Sequence, residues 1–280
     1  MNNTFDWNRF CKVVNKDFRN MWPLFGPTMI ILAALPFAIW LLLFVVDRHN
    51  TMPADFRLLI IEGVACVAAI MAPSRMYRTW NLRNEGIYYA MLPASKLEKY
   101  CSALLFSLII CPLTVFLGGM ALDIVLTALP FGPWRDWLWQ GDMGFPFTFD
   151  FSSMVNDYSV ETAEFREAMH FGALFMANSW LGYIASVLMF MFTSTLFKRH
   201  KVLQTILWIY AIEFVLSLVL IPTMMTLSRG DSLLWLVDWL QQHEPETVMN
   251  MLLWFGVATD AILIALFGWL TWRRLKKMPY

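Results

Sequence analysis

The sequence predicts an all-α integral membrane protein with six transmembrane helices, both termini in the cytoplasm and an amphipathic interface helix at the amino terminus. Of its 280 residues, 59% are hydrophobic and only 15% are charged, and the mean hydropathy is +0.54. Soluble domains average roughly 45–50% apolar and about 25% charged residues. This composition excludes an ordinary cytosolic enzyme, a disordered chain and a nucleic-acid-binding module.

Six stretches are long and apolar enough to cross a bilayer, which requires about 20 helical residues. Each must be helical, because backbone polar groups in lipid have to be satisfied within the segment. The first stretch is too long, and begins too far along the chain, to be a cleavable signal peptide. The predicted spans are 23–46, 58–73, 101–129, 171–197, 202–227 and 248–272.

The distribution of Lys and Arg predicts the orientation of the spans, because cytoplasmic segments carry an excess of these residues. The basic segments are residues 1–22, the loop 74–100, the link 198–201 and the tail 273–277, whereas the long loop 130–170 is acidic. With this topology the cytoplasmic segments hold sixteen basic and four acidic residues, and the outer loops hold five and thirteen. The predicted spans hold four acidic and no basic residues. A net charge of zero therefore conceals a strongly polarised molecule.

The segment 1–22 has the pattern of an amphipathic helix. Its apolar residues, among them Phe10, Val14 and Phe18, recur at the spacing of one helix face, and basic residues lie mostly on the other side. Such a helix is expected to lie flat among the lipid headgroups on the cytoplasmic side. Two interpretations stay open: a simple anchor before the first span, or a helix that also contacts a cytosolic partner.

The cytoplasmic loop 74–100 contains a break followed by a helix start. The run Leu92-Pro93-Ala94-Ser95 interrupts the chain, and Ser95 is a suitable helix cap. We expect a new helix to begin at about Lys96 and to continue into the third span. From charge alone, a solvated positive loop is the favoured interpretation of residues 74–100.

The second half of the outer loop 130–170 has a helix-forming composition and is expected to extend the fourth span outward.

Four acidic residues lie within the predicted spans. Glu62 and Asp123 are near the outer ends of their spans, where water is expected to reach them. Glu213 and Asp260 are deeper, and no Lys or Arg in a predicted span is available to pair with them. Because a charge in the hydrocarbon costs about 2.5–3.5 kcal/mol, these two acids have either a structural hydrogen bond or a role in a transport pathway.

Several kinds of chemistry are not predicted. The chain has no phosphate-binding loop, since no glycine precedes a lysine. Its four histidines are scattered, so no metal site is expected. The four cysteines all lie outside the predicted outer loops, so no disulfide framework is implied.

The loop 85–99 resembles that of membrane subunits of type-2 ABC exporters. In that family a Glu-x-Gly-like element is followed by Leu-Pro-x-Ser and then by a lysine that enters the next span. Here these elements are Glu85 and Gly86, then Leu92 to Ser95, then Lys99. The run MLPASKLEKY is similar to permeases from the Bacteroidetes group of bacteria. The long outer loop 130–170 departs from the shortest family members.

The resemblance implies a permease subunit of an ATP-driven exporter in a bacterial inner membrane, moving an amphiphilic or apolar substrate such as a lipid, a peptide or a drug-like compound. Its loop would form a coupling helix that docks into a separate ATPase, which binds the ATP and Mg, so this chain itself would hold no cofactor and would not be an enzyme. A second copy or a paralogue would complete the pathway. The alternatives are a membrane-embedded scaffold or sensor, and an intramembrane enzyme. The implied coupling residues are Glu85, Gly86, Leu92, Pro93, Ala94, Ser95 and Lys96, and the pathway candidates are Glu213 and Asp260.

Overall fold

Long helices make up nearly all of the chain that the structure, a computed structural model, describes. The described residues are 5–46, 52–77, 94–129, 134, 136–138, 143–144, 148–149, 162–197, 201–229 and 245–277. Their helices are α1 (Trp7–Ala33), α2 (Leu35–Val46), α3 (Ala54–Met76), α4 (Lys96–Leu105), α5 (Cys111–Thr127), α6 (Thr162–Leu196), α7 (Lys201–Arg229) and α8 (Pro245–Lys277).

Five helical runs in the described residues are long and apolar enough to cross a membrane, which indicates a multi-pass membrane protein. These runs are Trp7–Val46, Ala54–Met76, Lys96–Thr127, Ala173–Leu196 and Thr247–Lys276. Each of them overlaps one of the predicted spans. The remaining predicted span, 202–227, lies within α7, whose described apolar stretch is Lys201–Ile212.

The helix α1 continues without interruption from the amphipathic segment into the apolar stretch. The side chain of Asp6 caps it by accepting a hydrogen bond from the backbone N–H of Asn8 at 2.9 Å. Pro23 and Pro27 both lie inside this helix. The helix ends at Ala33, and the single turn residue Ala34 separates it from α2. The predicted boundary between interface helix and first span, after residue 22, therefore lies within one continuous helix.

A π-helical turn, Phe106–Ile110, joins α4 to α5 and has a local cause in the sequence. Pro112 has no backbone N–H, so it cannot donate the helical hydrogen bond that the carbonyl of Leu108 would otherwise accept. The hydroxyl of Tyr183, on α6, donates to that carbonyl instead at 2.8 Å. The irregular turn of one helix is thus satisfied by a side chain from another.

Pairs of facing residues define the relative directions of the first helices. Asp17 pairs with Ser102, and a Cβ placed on Gly118 would lie 3.1 Å from the Cβ of Ala33, so α1 runs parallel to α4 and α5. By contrast, Arg57 contacts Asp123. Together with a cluster that joins Ala72 of α3 to the α4–α5 junction, this contact shows that α3 is antiparallel to them.

Two close approaches define the relative direction of α6 and α8. A Cβ on Gly256 would meet Oδ1 of Asn178, and a Cβ on Gly182 would lie 3.4 Å from Oδ2 of Asp260. These two pairs increase together along both helices, so α6 and α8 run parallel. Lys96 reaches the carbonyl of Lys276 at the start of α4. The beginning of α1 and the end of α8 therefore lie at the same end of the helix bundle, near the start of α4.

The outer loop predicted at 130–170 is partly described. Trp134 is buried against α2 and α5, and Leu138 is buried against α3 and α5. Two short strands, β1 (Met143–Gly144) and β2 (Thr148–Phe149), form an antiparallel ladder. The helix α6 begins at Thr162, well before the predicted span. This confirms that the second half of the loop extends the fourth span as helix.

Candidate functional site

The start of α4 is fixed by a reciprocal pair of hydrogen bonds. The side chain of Ser95 accepts from the backbone N–H of Glu98 at 3.2 Å, and Oε2 of Glu98 accepts from the backbone N–H of Ser95 at 2.8 Å. This capping box satisfies two backbone donors that no helical carbonyl reaches. The prediction of a helix start at Lys96 with Ser95 as its cap is confirmed.

Glu98 also binds the beginning of α1. Its other oxygen, Oε1, accepts from the backbone N–H of Asp6 at 2.9 Å and lies 3.3 Å from Nη2 of Arg9. The side chain of Glu98 is 0% exposed, so these contacts are shielded from water. A single buried carboxylate therefore joins two segments that are 92 residues apart in the sequence.

A second buried contact joins the same two helices further along. The hydroxyl of Ser102, on α4, donates to Oδ2 of Asp17, on α1, at 2.7 Å. Both side chains are buried, and Lys16 and Lys99 place positive charge close to the carboxylate. Two polar contacts along one parallel helix pair fix the rotation of α1 against α4 as well as its position.

The opposite side of α4 contacts the end of α8. The ammonium group of Lys96 donates to the carbonyl of Lys276 at 2.9 Å, and the ring of Tyr100 lies 5.9 Å from that of Trp272. The start of α4 thus lies between the first and last helices of the chain. We call the residues Asp6, Arg9, Asp17, Ser95, Glu98 and Ser102, together with Lys96, the α1–α4 junction.

The structure describes three of the seven candidate coupling residues. Ala94 is buried beside the junction, Ser95 caps α4, and Lys96 is exposed apart from its contact with α8. The other four, Glu85, Gly86, Leu92 and Pro93, lie outside the described residues.

The three interface-helix residues differ in their burial. Val14 packs against a core cluster that contains Met21 and Phe106. Phe10 is partly buried and lies 5.4 Å from the ring of Trp7, whereas Phe18 is 47% exposed. The buried strip of α1 runs beside them, through Val13, Asp17, Met21 and Phe25. The predicted apolar face is therefore only partly covered by the protein, which leaves much of it available to lipid or to a partner.

The two pathway candidates lie on different helices. Asp260, on α8, is partly exposed and faces Gly182 of α6, whose missing side chain leaves room for the carboxylate. Glu213 belongs to α7, but its side chain lies outside the described part of the structure. The structure therefore places Asp260 at the interface between α6 and α8.

The expectation that water reaches Glu62 and Asp123 is wrong, because both side chains are buried. Asp123 pairs with Arg57, at 3.2 Å, and both side chains are 1% exposed. Arg57 lies one residue before the predicted second span, but α3 begins at Ala54 and carries it into the helix interface. The helix interface therefore holds a cation that the predicted spans lacked.

Arg57 makes several contacts at the start of α3. Besides Asp123, it donates to the hydroxyl of Thr127 at 2.9 Å and to the carbonyl of Asp136 in the outer loop. Its guanidinium lies 4.9 Å from the centroid of the Trp134 ring, close enough for a cation–π interaction. The segment that contains Trp134 and Asp136 is thereby held onto α3 and α5 by one buried cation.

The described contacts at the start of α4 are hydrogen bonds and ion pairs between helices. Within the described ranges, no group of three or more His, Cys, Asp or Glu side chains is placed to hold a metal ion. Comparisons with protein-family models, with curated proteins and with solved structures found no match.

Proposed function

We propose that this chain is the permease subunit of an ATP-driven ABC exporter in a bacterial inner membrane, with six spans and cytoplasmic termini, that moves an amphiphilic or apolar substrate. The observation that carries the proposal is the position of Glu98. This buried carboxylate ties the end of the basic loop 74–100 to both α1 and α4. A displacement of that loop is therefore transmitted to two helices together.

The helix directions support a six-span arrangement. Parallel α6 and α8 require the chain between them to return across the bundle, and α7, with 29 residues, is long enough to do so. The start of α1, the start of α4 and the end of α8 lie together, at the end that carries the basic segments of the sequence. By the positive-inside rule this end faces the cytoplasm.

Such a joint suits a chain that is driven by a separate motor. The resemblance of the loop to type-2 ABC exporters assigns ATP and Mg to a partner ATPase, and assigns the pathway to this chain and a second copy or paralogue. A force on the loop near Ala94 and Ser95 meets a capped helix that begins at Lys96 and continues through the apolar stretch. Packed helices transmit such movements as rigid bodies.

Site-specific photocrosslinking in intact cells tests this proposal. A photoreactive residue is placed at Glu85 or Lys96, and at Val125 as the control, since Val125 is exposed at the opposite end of the same helical run. We expect an ATP-binding protein to be crosslinked from the first two positions and not from Val125. Crosslinks from Glu85 and Lys96 to a partner that binds no nucleotide would favour a scaffold or sensor and would contradict the proposal.

A further inference from the structure

The basic loop 74–100 is held by buried residues where it leaves the bundle and where it returns. Tyr77, directly after α3, is 1% exposed. On the returning side, Ser95 is buried and caps α4. A displacement of the loop therefore acts on the helix bundle at two points, the end of α3 and the start of α4.

The residue Tyr77 belongs to a packed cluster that several helices share. We call this group the α4–α8 cluster, and each of its buried members is at most 5% exposed. These members are Tyr77, Ala103 of α4, Leu188 and Met191 of α6, and Leu275 of α8. Because protein interiors are close-packed, a shift of one member must be taken up by the others.

The helix α4 uses one face for α1 and the opposite face for this cluster. Glu98 and Ser102, at i and i+4, contact α1. Lys96, Tyr100 and Ala103 follow the i, i+4, i+7 spacing on the other side, where they contact α8 or the α4–α8 cluster. The start of α4 is therefore attached to α1 and to α8 by separate sets of side chains.

The helix α8 continues from this cluster to the pathway candidate Asp260. Ile264 and Phe267 pack against the α4–α8 cluster, and together with Asp260 and Leu275 they share one face of α8. From Asp260 to Leu275 the helix rises about 22 Å at about 1.5 Å per residue. No break interrupts α8 over this distance, so it can transmit a shift at Leu275 as a rigid body.

At the level of Asp260, α6 and α8 are in close contact. A Cβ on Gly182 of α6 would lie 3.4 Å from Oδ2 of Asp260, and further along the rings of Phe192 and Phe267 lie 6.0 Å apart. Because Gly182 has no side chain, the space around the carboxylate depends on how closely the two helices approach. A small change in helix packing therefore changes the surroundings of Asp260.

We infer that the α4–α8 cluster is a second link, through which the loop 74–100 sets the approach of α6 and α8 at Asp260, with Tyr100 and Leu275 as positioning residues. This link rests on the proposed function only for the source of the force on the loop, since every contact in it belongs to this chain. The surroundings of Asp260 are then controlled by the same loop that the ATPase drives.

Disulfide crosslinking of the full chain in its native membranes tests the link. The four native cysteines are replaced by alanine, and Gly182→Cys is combined with Asp260→Cys. Cγ of Asp260 lies 4.0 Å from a Cβ on Gly182, so the two thiols are close enough to be oxidised by copper phenanthroline. The rate of disulfide formation then reports the approach of α6 and α8.

Removing either positioning side chain should slow this crosslinking. We expect Leu275→Ala and Tyr100→Ala each to lower the rate at least about fivefold, which corresponds to a shift of about 1 kcal/mol away from the closely packed state. The matched control is Leu266→Ala, at an exposed leucine of the same helix, which should leave the rate unchanged. If Leu275→Ala does not fold, Tyr100→Ala decides, because it removes only a partly buried ring.

Adding ATP and vanadate to the membranes separates this link from the proposed function. Slower crosslinking in both variants, with no response of the parent protein to nucleotide, would support the link and count against the ATPase partner. An unchanged rate in both variants would overturn the inference, whatever the nucleotide does. Equal slowing by Leu266→Ala would also overturn it, because the rate would then report a general loosening of α8.

Discussion

Replacing Glu98 is the most informative perturbation of the α1–α4 junction, because its two oxygens serve two different segments. Each backbone N–H bound to a buried charged acceptor is worth about 1.5–3 kcal/mol, so the bonds from Asp6 and Ser95 together contribute about 3–6 kcal/mol. The ion pair with Arg9 adds less than about 1 kcal/mol, since the Arg9 side chain is 31% exposed.

From these contacts we expect Glu98→Ala to lower the free energy of unfolding by about 3–5 kcal/mol. Glu98→Gln should cost about half as much, because a side-chain amide has one oxygen to accept with and turns its NH₂ group toward the other backbone donor. Ser95→Ala removes only one cap acceptor and should cost about 1 kcal/mol. Denaturant titration in mild detergent, followed by far-ultraviolet circular dichroism, measures all three.

Hydrogen exchange separates the role of Glu98 in joining α1 from its role in capping α4. Amides at the start of α1, in residues 7–16, should exchange at least tenfold faster in Glu98→Gln than in the wild type. In Ser95→Ala they should exchange at nearly the wild-type rate, because the lost hydroxyl accepts from the backbone of Glu98 within α4 and the bond from Asp6 to Glu98 remains. Equal protection of α1 in the wild type and in Glu98→Gln would refute the assignment of Glu98 as the link between the two helices.

Three further predictions concern the helix packing, each measured as a change in unfolding free energy in detergent. Asp123→Ala should cost about 3–5 kcal/mol, because it leaves a buried guanidinium unpaired, while the double change Arg57→Met with Asp123→Leu should recover most of that loss. Tyr183→Phe should cost about 1–3 kcal/mol, since the carbonyl of Leu108 loses its donor in apolar surroundings. Gly63→Ala should stabilise the protein by about 0.5–1 kcal/mol, since a Cβ there meets no atom within 4 Å. Gly119→Ala should be about 1–3 kcal/mol less stable than Gly63→Ala, since its Cβ would lie 3.0 Å from Ile61.

These predictions have direct controls. Tyr210→Phe, at an exposed tyrosine, should leave the free energy of unfolding nearly unchanged. A double variant of Arg57 and Asp123 that is as unstable as Asp123→Ala would show that the pair has no energetic coupling. Equal effects of the two glycine changes would contradict the close approach of α3 and α5.

The helices and the cap of α4 could be predicted because their signals are local. Apolar stretches of membrane-spanning length predicted the five helical runs that the structure shows, and the residues Pro93 and Ser95 predicted the start of α4. Glu98 follows Ser95 by three residues, which is the sequence pattern of a capping box. That pattern marks Glu98 as part of the cap, but it contains no information about Asp6 or Arg9.

The long-range contacts could not be predicted, because no local sequence signal connects the residues that make them. Arg57 and Asp123 are 66 residues apart, and no spacing rule connects them. Charged residues were assigned to loops, so the second span was predicted to begin just after Arg57. An arginine is nevertheless tolerated inside a helix interface when it is paired. The boundary expected after residue 22 also differed, because Pro23 lies inside a helix that has already formed and continues past it to Ala33.

The most direct test of the central claim is purification of the tagged chain from its native membranes in mild detergent. The copurifying proteins are identified, and ATP hydrolysis by the complex is measured for the wild type and for Glu98→Gln. We expect an ATP-binding subunit to copurify, and we expect the ATPase rate to change in Glu98→Gln while the complex stays assembled. A chain that purifies without any ATP-binding partner, or a complex whose ATPase rate is the same with and without this substitution, would contradict it.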